Sequence, residues 1–326
     1  MTARTYPIVL AHGIARFDVL VDMLLDVDND HNLDHKHYFK GIRTHLKSQG
    51  FDVWHTQVDW AGSVTKRSSD LKRAVEGVLR ATGAEKIHII AHSMGGLDAR
   101  HMLFDSRNNG FHRKVASVTT ISTPHRGSPV ADFILNPLGF LAERTGASLE
   151  TVATPEEQLA HLRDTEEFQA FASLFGIDPD RFGTVPAPAE EALESASLFE
   201  GVAGVRDLTL EATASFNAES LPWERNCGVS FHAYAGAQAL AHTFPPLQLV
   251  WGLIHEKEGV NDGLVSVESA KWTNDHLRAT VDADHLNELG WWPEILDPRE
   301  RERKERESKA FYLSLAEGLA RQFPLL

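Results

Sequence analysis

Cysteine is nearly absent from this chain of 326 residues, since Cys227 is the only one. A single cysteine cannot form an intrachain disulfide, so a disulfide-stabilised framework is excluded. Long apolar runs are also missing, because no stretch approaches the roughly 20 residues that span a bilayer. Residues 1–5 are polar and show no signal-peptide pattern, which predicts a cytoplasmic protein as encoded, with release by a non-Sec route left open.

Basic residues are in deficit: 32 Lys and Arg stand against 46 Asp and Glu, which gives a formal net charge of −14. Because such a chain repels phosphate backbones, nucleic acid is not an expected partner. Hydrophobic residues make up 42% and charged residues 24%, as in an ordinary globular protein. The length suits one large α/β domain or two small ones.

Strand-like and helix-like segments alternate along the first half of the chain. The strand-like runs, including two later ones, are residues 6–11, 52–58, 86–91, 115–122, 229–235 and 277–281. Helical patterns fall at residues 39–48, 68–82 and 95–107, and a final one at 302–322. This alternation predicts a mostly parallel sheet with helices on both faces, in which ligands bind beyond the carboxyl ends of the strands.

The alternation stops between residues 127 and 228, where helical patterns and turns replace it. We interpret these residues as a helical cap inserted into a single domain of residues 1–326, with amphipathic helices at 190–199 and 208–218. Apolar side chains of the cap are expected either to border the active site or to pack the cap onto the core. They are Phe133, Ile134, Leu135, Leu138, Phe140 and Leu141.

Ser93 is the candidate nucleophile, in the run Ala91-His92-Ser93-Met94-Gly95 that directly follows an apolar strand-like segment. A strand, a tight turn of small residues with serine at its apex and then a helix is the context of a nucleophile elbow. Ala91 stands where glycine is commonest, and it is small enough for the turn. His12-Gly13 and Thr123-Pro124-His125 also fall at strand ends, so these segments should meet Ser93 at one edge of the sheet.

A serine nucleophile needs a base that a carboxylate orients, and on this type of sheet the chain order is serine, acid, histidine. Asp262 in the loop of residues 261–265 and His285 in the loop of residues 282–286 satisfy that order. Taken alone, Asp262 reads as a turn residue and His285 as a surface-loop histidine. With the elbow upstream, the catalytic interpretation is favoured for both.

Several blocks in this order resemble the bacterial true lipases, above all the triacylglycerol lipases of the Pseudomonas, Burkholderia and Proteus type. The blocks are residues 6–13, 91–96, 123–128, 130–133, 261–265 and 285–289. The resemblance implies an α/β-hydrolase fold and cleavage of carboxylic esters, with Ser93 as nucleophile, Asp262 as acid and His285 as base. It also implies an oxyanion hole made by the backbone N–H groups of Ile14 and Met94.

The implied substrate is an ester or acylglycerol, with transient contact between the cap and lipid surfaces, and no cofactor is expected. The secreted members of this family hold a calcium ion near the catalytic histidine with two aspartates. This chain has Asn287 at one of those positions and, by rough alignment, Pro245 near the other. Because a calcium site depends on carboxylate charge, we expect calcium binding to be absent or weak. The family disulfide is also lost, since Glu268 stands opposite Cys227.

A stretch rich in aspartate and histidine follows the oxyanion loop. It contains Asp26, Asp28, Asp30, His31, Asp34, His35 and His37, without the glycine and glutamate of a calcium loop. We interpret it as a solvated polar loop and assign it no metal, although its side chains suit zinc.

Two other functions fit the same residues. One is acyl transfer to an alcohol other than water, which uses the same triad. The other is a catalytically silent α/β-hydrolase that acts as a binding protein. Acyl chain length depends on how the cap packs, and the sequence does not determine it.

Overall fold

A six-stranded, wholly parallel sheet forms the centre of the computed structural model, which describes residues 5–14, 34, 37–60, 62–137, 154–175, 177–180, 182, 202–292 and 297–325. The strands are β1 (Ile8–Ala11), β2 (Val53–His55), β3 (Ile87–His92), β4 (Val115–Ile121), β5 (Ser230–Gly236) and β6 (Leu277–Val281). Their order is β2-β1-β3-β4-β5-β6. The predicted parallel α/β architecture is therefore confirmed.

Helices follow most strands. In the described residues they are α1 (Ile42–Ser48), α2 (Val64–Thr82), α3 (Met94–Asp105), α4 (Pro129–Leu135), α5 (Pro155–Arg163), α6 (Glu166–Phe175), α7 (Val202–Arg206), α8 (Leu210–Glu224), α9 (Pro245–Glu258), α10 (Val267–Ala270) and α11 (Pro298–Gln322). None of these helices is both long and apolar enough to cross a membrane.

Two apolar layers cover the sheet. Side chains of α1 and α11 pack in one cluster with β1 and β2, and side chains of α2 and α3 pack in another with β3 and β4. The central strands β1, β3 and β4 are buried along their whole length. Their sequences are mostly apolar without alternation, as expected for strands covered on both faces.

The segment between β4 and β5 contains α4 to α8. The predicted helix 208–218 is observed as α8, whereas the predicted helix 190–199 lies outside the described residues. Phe168 and Phe171 of α6 are fully buried and share an apolar cluster with Val250 and Ile254 of α9. These contacts join the inserted helices to the body of the protein, and the division into a domain and a cap stays a prediction.

A buried ion pair connects α8 to the core. The Nε of Arg100 on α3 donates to Glu224 Oε1 at 2.9 Å, and both side chains are almost completely excluded from solvent. The same guanidinium donates to Asn217 and Ser220 on α8 and lies over the ring of Trp272. The last helix before β5 is thereby held against the helix that follows Ser93.

Candidate active site

Ser93 lies in a strained turn between β3 and α3. Its φ is +54°, a value that non-glycine residues rarely adopt. The turn is crowded, because a Cβ at Gly95 would lie 2.5 Å from the carbonyl oxygen of Ala11, and one at Gly13 would lie 2.6 Å from the Cβ of Ser93. The carbonyl of Ser93 accepts a hydrogen bond from the Thr123 hydroxyl at 2.7 Å. The ends of β1, β3 and β4 thus meet around this serine, as the sequence predicts.

The Ser93 side chain borders an apolar cavity. Its lining includes Ile14, Val130, Ile134, Val205 and Leu264. Of the apolar cap residues, Ile134 contributes to this wall, whereas Phe133 is buried and packs edge-on against Phe182. Leu138, Phe140 and Leu141 lie outside the described residues. The nucleophile candidate therefore faces a surface suited to a hydrocarbon chain.

His285 and Asp262 form a buried pair. The Nδ1 of His285 lies 2.7 Å from Asp262 Oδ2, and Asp262 is fully buried. The other oxygen of Asp262 accepts the backbone N–H groups of Leu264 and Val265 at 2.9 and 2.7 Å. Asp262 is thus a turn residue and a histidine partner at once. Because a carboxylate accepts from Nδ1–H, this contact leaves Nε2 of His285 as the nitrogen able to take a proton.

His285 lies next to the turn that carries Ser93, because its ring contacts the ring of His92, the residue before Ser93. The rings of His92 and His285 are 4.4 Å apart between centroids. The pair of His285 and Asp262 therefore lies beside the Ser93 turn at the carboxyl ends of the strands, although residues 93 and 285 are more than 190 positions apart in the chain.

The two predicted oxyanion donors flank the same turn. Met94 is the first residue of α3, where a backbone N–H has no acceptor within the helix. Ile14 lines the cavity beside Ser93. The loop that carries Ile14 is held by Arg67, whose Nη2 donates to the carbonyl of His12 at 2.8 Å and to Asp98 at 2.7 Å.

A buried hydrogen-bonded network lies beneath these residues, and sequence reasoning did not find it. The hydroxyl of Tyr38 lies 2.7 Å from Nδ1 of His92, and Nε2 of His92 lies 3.0 Å from Glu288 Oε2. Glu288 Oε1 in turn lies 2.5 Å from the hydroxyl of Ser122, a residue with φ +44°. Glu288 lies three residues after His285, within the lipase-like block of residues 285–289. Its position beside the candidate base is the one sequence feature that could have indicated a role near the site.

Burial sets the charge of this network. Burial, and next the negative charge of Asp262, raise the pKa of Glu288 well above its ordinary value. Burial and the neighbouring His285 lower the pKa of His92 well below its ordinary value. Both shifts disfavour the charged forms of these groups, which limits the net charge that the network can place beside His285.

Three buried groups come close enough together to raise the question of a metal. The donor atoms of His92, His285 and Glu288 lie within 4.8 Å of one another. However, His92 bonds to Glu288 and His285 bonds to Asp262, so hydrogen bonds account for the arrangement. Of the stretch rich in aspartate and histidine, only Asp34 and His37 are described, and Asp34 binds His55 Nε2 at 2.7 Å.

The two positions that correspond to the disulfide of the resembled family have other surroundings in this chain. Cys227 is a free, partly buried thiol, and burial raises its pKa. Glu268 is exposed and pairs with Arg126 at 2.6 Å and Lys271 at 2.9 Å.

Known proteins are similar to this chain in sequence and in fold. The PGAP1-like alpha/beta domain family matches residues 61–140, which contain β3, Ser93 and α3. A triacylglycerol lipase from Vibrio cholerae is 28% identical over 306 residues, which cover 88% of this chain and 80% of that protein. One from Pseudarthrobacter phenanthrenivorans is 30% identical over 251 residues, covering 74% of this chain and 64% of that protein.

A solved lipase structure has a similar fold. The structure of lipase 1 from Pelosinus fermentans aligns with a TM-score of 0.57 and 17% identity, over 97% of this chain and 98% of that one. At 17% identity the structural match shows the fold alone, and the enzyme class is supported by the sequence relatives. The chain therefore has an α/β-hydrolase fold and is similar in sequence to bacterial triacylglycerol lipases, and these similarities support a carboxylic-ester hydrolase activity.

Proposed function

We propose that this α/β-hydrolase cleaves carboxylic esters, with acylglycerols as the substrate class, through Ser93, His285 and Asp262 and a covalent acyl-enzyme. The observation that carries the proposal is the 2.7 Å contact between His285 Nδ1 and a fully buried Asp262, beside a strained serine turn. The apolar wall next to Ser93 supports an acyl chain as the group that is bound.

In the first half of the reaction, Ser93 Oγ bonds to the carbonyl carbon of the ester while His285 Nε2 takes the hydroxyl proton. Asp262 stabilises the imidazolium that forms, and the N–H groups of Ile14 and Met94 donate to the oxyanion. His285 then gives its proton to the departing alcohol oxygen as the carbon–oxygen bond breaks. The acyl group is left on Ser93.

In the second half, water gives a proton to His285 and attacks the acyl carbonyl. Collapse of the tetrahedral species breaks the bond to Ser93 Oγ, which recovers its proton from His285. The carboxylic acid leaves, and the site returns to its starting state. Each oxyanion donor is expected to contribute about 10²–10³-fold to kcat.

Replacement of the nucleophile tests this proposal. The Ser93→Ala variant should lose about 10⁶-fold in kcat on p-nitrophenyl butyrate, because the whole acylation step depends on the hydroxyl. The matched control is Ser69→Ala, at an exposed position of α2, which should keep wild-type kcat. Wild-type turnover by Ser93→Ala would refute the assignment.

Covalent labelling separates an enzyme from a silent binding protein. A fluorophosphonate probe should attach to the wild-type chain and not to Ser93→Ala, with the adduct on the peptide that contains residue 93. A wild-type chain that remains unlabelled would favour the binding protein. Rates on p-nitrophenyl esters from acetate to palmitate then report chain length, and a rate increase at lipid interfaces would support contact through the cap.

A further inference from the structure

Asp284, the residue before His285, has a carboxylate that is completely buried and bonded only to backbone in the described contacts. Its Oδ2 accepts the N–H of Phe244 at 2.7 Å. Its Oδ1 accepts the N–H groups of Leu286 and Asn287 at 2.9 and 2.8 Å. One side chain therefore holds three N–H groups from two segments of the chain, an arrangement we call the Asp284 clasp.

The clasp joins the loop that carries His285 to the start of α9. Phe244 is the residue that caps the start of α9, at the end of the loop that follows β5. Leu286 and Asn287 belong to the loop that directly follows His285. On the other side of this loop, the His285 N–H donates to the carbonyl of Asp262 at 2.9 Å. His285 is thus fixed between an aspartate backbone and the clasp.

The residues around the clasp do not fit the calcium ion that the resembled secreted lipases hold near the catalytic histidine. Asn287 directs its amide N–H₂ to the carbonyl of Trp291 at 2.7 Å, so it presents a donor group at that contact. Asp284 already accepts hydrogen bonds at both oxygens. Calcium needs several free oxygen ligands with negative charge, and these side chains do not supply them.

The neighbouring cavity does not restore a calcium site within the described residues. Asp282 and Glu300 line it, but Arg303 and Lys304 line it as well. Arg303 Nη2 lies 3.6 Å from Glu300 Oε1. The cationic side chains therefore offset the negative charge that a divalent ion would need.

We propose that Asp284 is a positioning residue, which fixes the loop of His285 with three backbone hydrogen bonds and replaces the metal support of the resembled lipases. The proposal rests on the proposed function of His285. It follows that the chain works without calcium. The carboxylate acts through the backbone N–H groups of Phe244, Leu286 and Asn287 and touches no reacting atom.

The test replaces one acceptor by a donor. In Asp284→Asn the amide nitrogen must face an N–H group, so at least one bond of the clasp is lost and His285 can shift. We expect kcat on p-nitrophenyl butyrate to fall about 10²-fold with little change in KM, because a misplaced base affects the chemical step. Asp282→Asn, at an exposed position in the same loop, is the matched control and should keep wild-type kcat.

A spectroscopic readout separates positioning from loss of stability. The downfield proton resonance of His285 Nδ1–H should be sharp in the wild type and in Asp282→Asn, and broadened or lost in folded Asp284→Asn. The wild-type kcat and unfolding temperature should not change with excess EDTA or with millimolar Ca²⁺. Wild-type kcat together with an intact resonance in Asp284→Asn, or stimulation of the wild type by Ca²⁺, would overturn the proposal.

If Asp284→Asn does not fold, amide hydrogen exchange in the wild type tests whether the three hydrogen bonds of the Asp284 clasp are present. The amides of Phe244, Leu286 and Asn287 should be protected together, and rapid exchange of all three would overturn the clasp. Ser93→Ala is assayed in parallel. If it keeps turnover, the proposed function fails, whereas exchange and the resonance report on the clasp whatever the chemistry.

Discussion

At the scale of single residues, Tyr38 connects the oxyanion loop to the nucleophile turn. Its hydroxyl accepts the backbone N–H of Gly13 and lies 2.7 Å from His92 Nδ1. Because the oxygen already accepts from Gly13, its proton points to His92, and burial raises the pKa of the phenol well above its ordinary value, so the proton stays in place. The residue after Gly13 is Ile14, one of the two proposed oxyanion donors.

Removal of this hydroxyl should weaken stabilisation of the oxyanion. In Tyr38→Phe the ring remains, but Gly13 and His92 each lose a buried partner, so we expect kcat to fall about tenfold to a hundredfold. Binding of a trifluoromethyl ketone, which mimics the tetrahedral state, should weaken by a similar factor. Tyr234→Phe is the control and should behave as wild type; equal inhibitor affinity in Tyr38→Phe would contradict the role.

The candidate site could be predicted only in part at this scale. Ser93 is predictable because its turn constrains the neighbouring residues, and Asp262 and His285 follow from chain order. Tyr38, Asp284 and Glu288 were missed because their partners come from distant segments, such as the 40 positions between Phe244 and Asp284. A lone tyrosine or aspartate has no local pattern that reveals such a contact.

At the scale of elements, the ion pair of Arg100 and Glu224 fixes α8 against α3. Both side chains are buried, and Trp272 Nε1 also donates to Glu224 at 3.1 Å. Burial of two charges is costly, so each depends on the other. The pair therefore governs how firmly the last inserted helix attaches to the core.

Loss of one charge of this pair should destabilise the protein strongly. Glu224→Gln leaves the guanidinium of Arg100 buried without a counter-charge, so we expect the free energy of unfolding to fall by about 3–5 kcal/mol. Urea denaturation followed by circular dichroism measures this. Glu219→Gln, at an exposed position of the same helix, should change it by less than about 0.5 kcal/mol.

Two of the helices differ from the prediction, one in its start and one in its existence. Residue Ser63 caps α2 through its side chain, so this helix begins four residues before the predicted start at residue 68. Helix α9 was not predicted, although its buried residues Leu247, Val250 and Ile254 have helical spacing. Its apolar face packs on inserted helices that the sequence alone does not place, so its role in the core was hidden.

At the scale of the whole molecule, buried histidines make stability depend on pH. His88 is fully buried between Thr5 and Ser117, at 3.0 and 2.7 Å, and burial lowers its pKa to about 4. The unfolded chain takes up this proton near pH 6.5, whereas the folded protein does not. Folding is therefore opposed progressively as the pH falls from about 6.5 to about 4.

The stability lost over this interval should amount to about 3 kcal/mol from His88 alone. Urea denaturation at several pH values would show the decline, which should level off below the folded pKa. His88→Gln cannot take up the proton, so its stability should decline less steeply than that of the wild type. His161→Gln, at an exposed position of α5, is the control; identical slopes for wild type and His88→Gln would contradict the prediction.

The strand order carries a last consequence for the position of the site. From β1 the chain moves outward to β2, then crosses back to β3 and continues in the other direction through β6. Since parallel crossovers are right-handed, α1 and α3 must lie on opposite faces of the sheet. The direction of winding thus changes between β1 and β3, and Ile14 and Ser93, which follow these two strands, line the same cavity at the carboxyl ends of the strands. The position of the proposed site therefore follows from the strand order, so single substitutions can abolish the proposed activity but cannot move the site to another edge of the sheet.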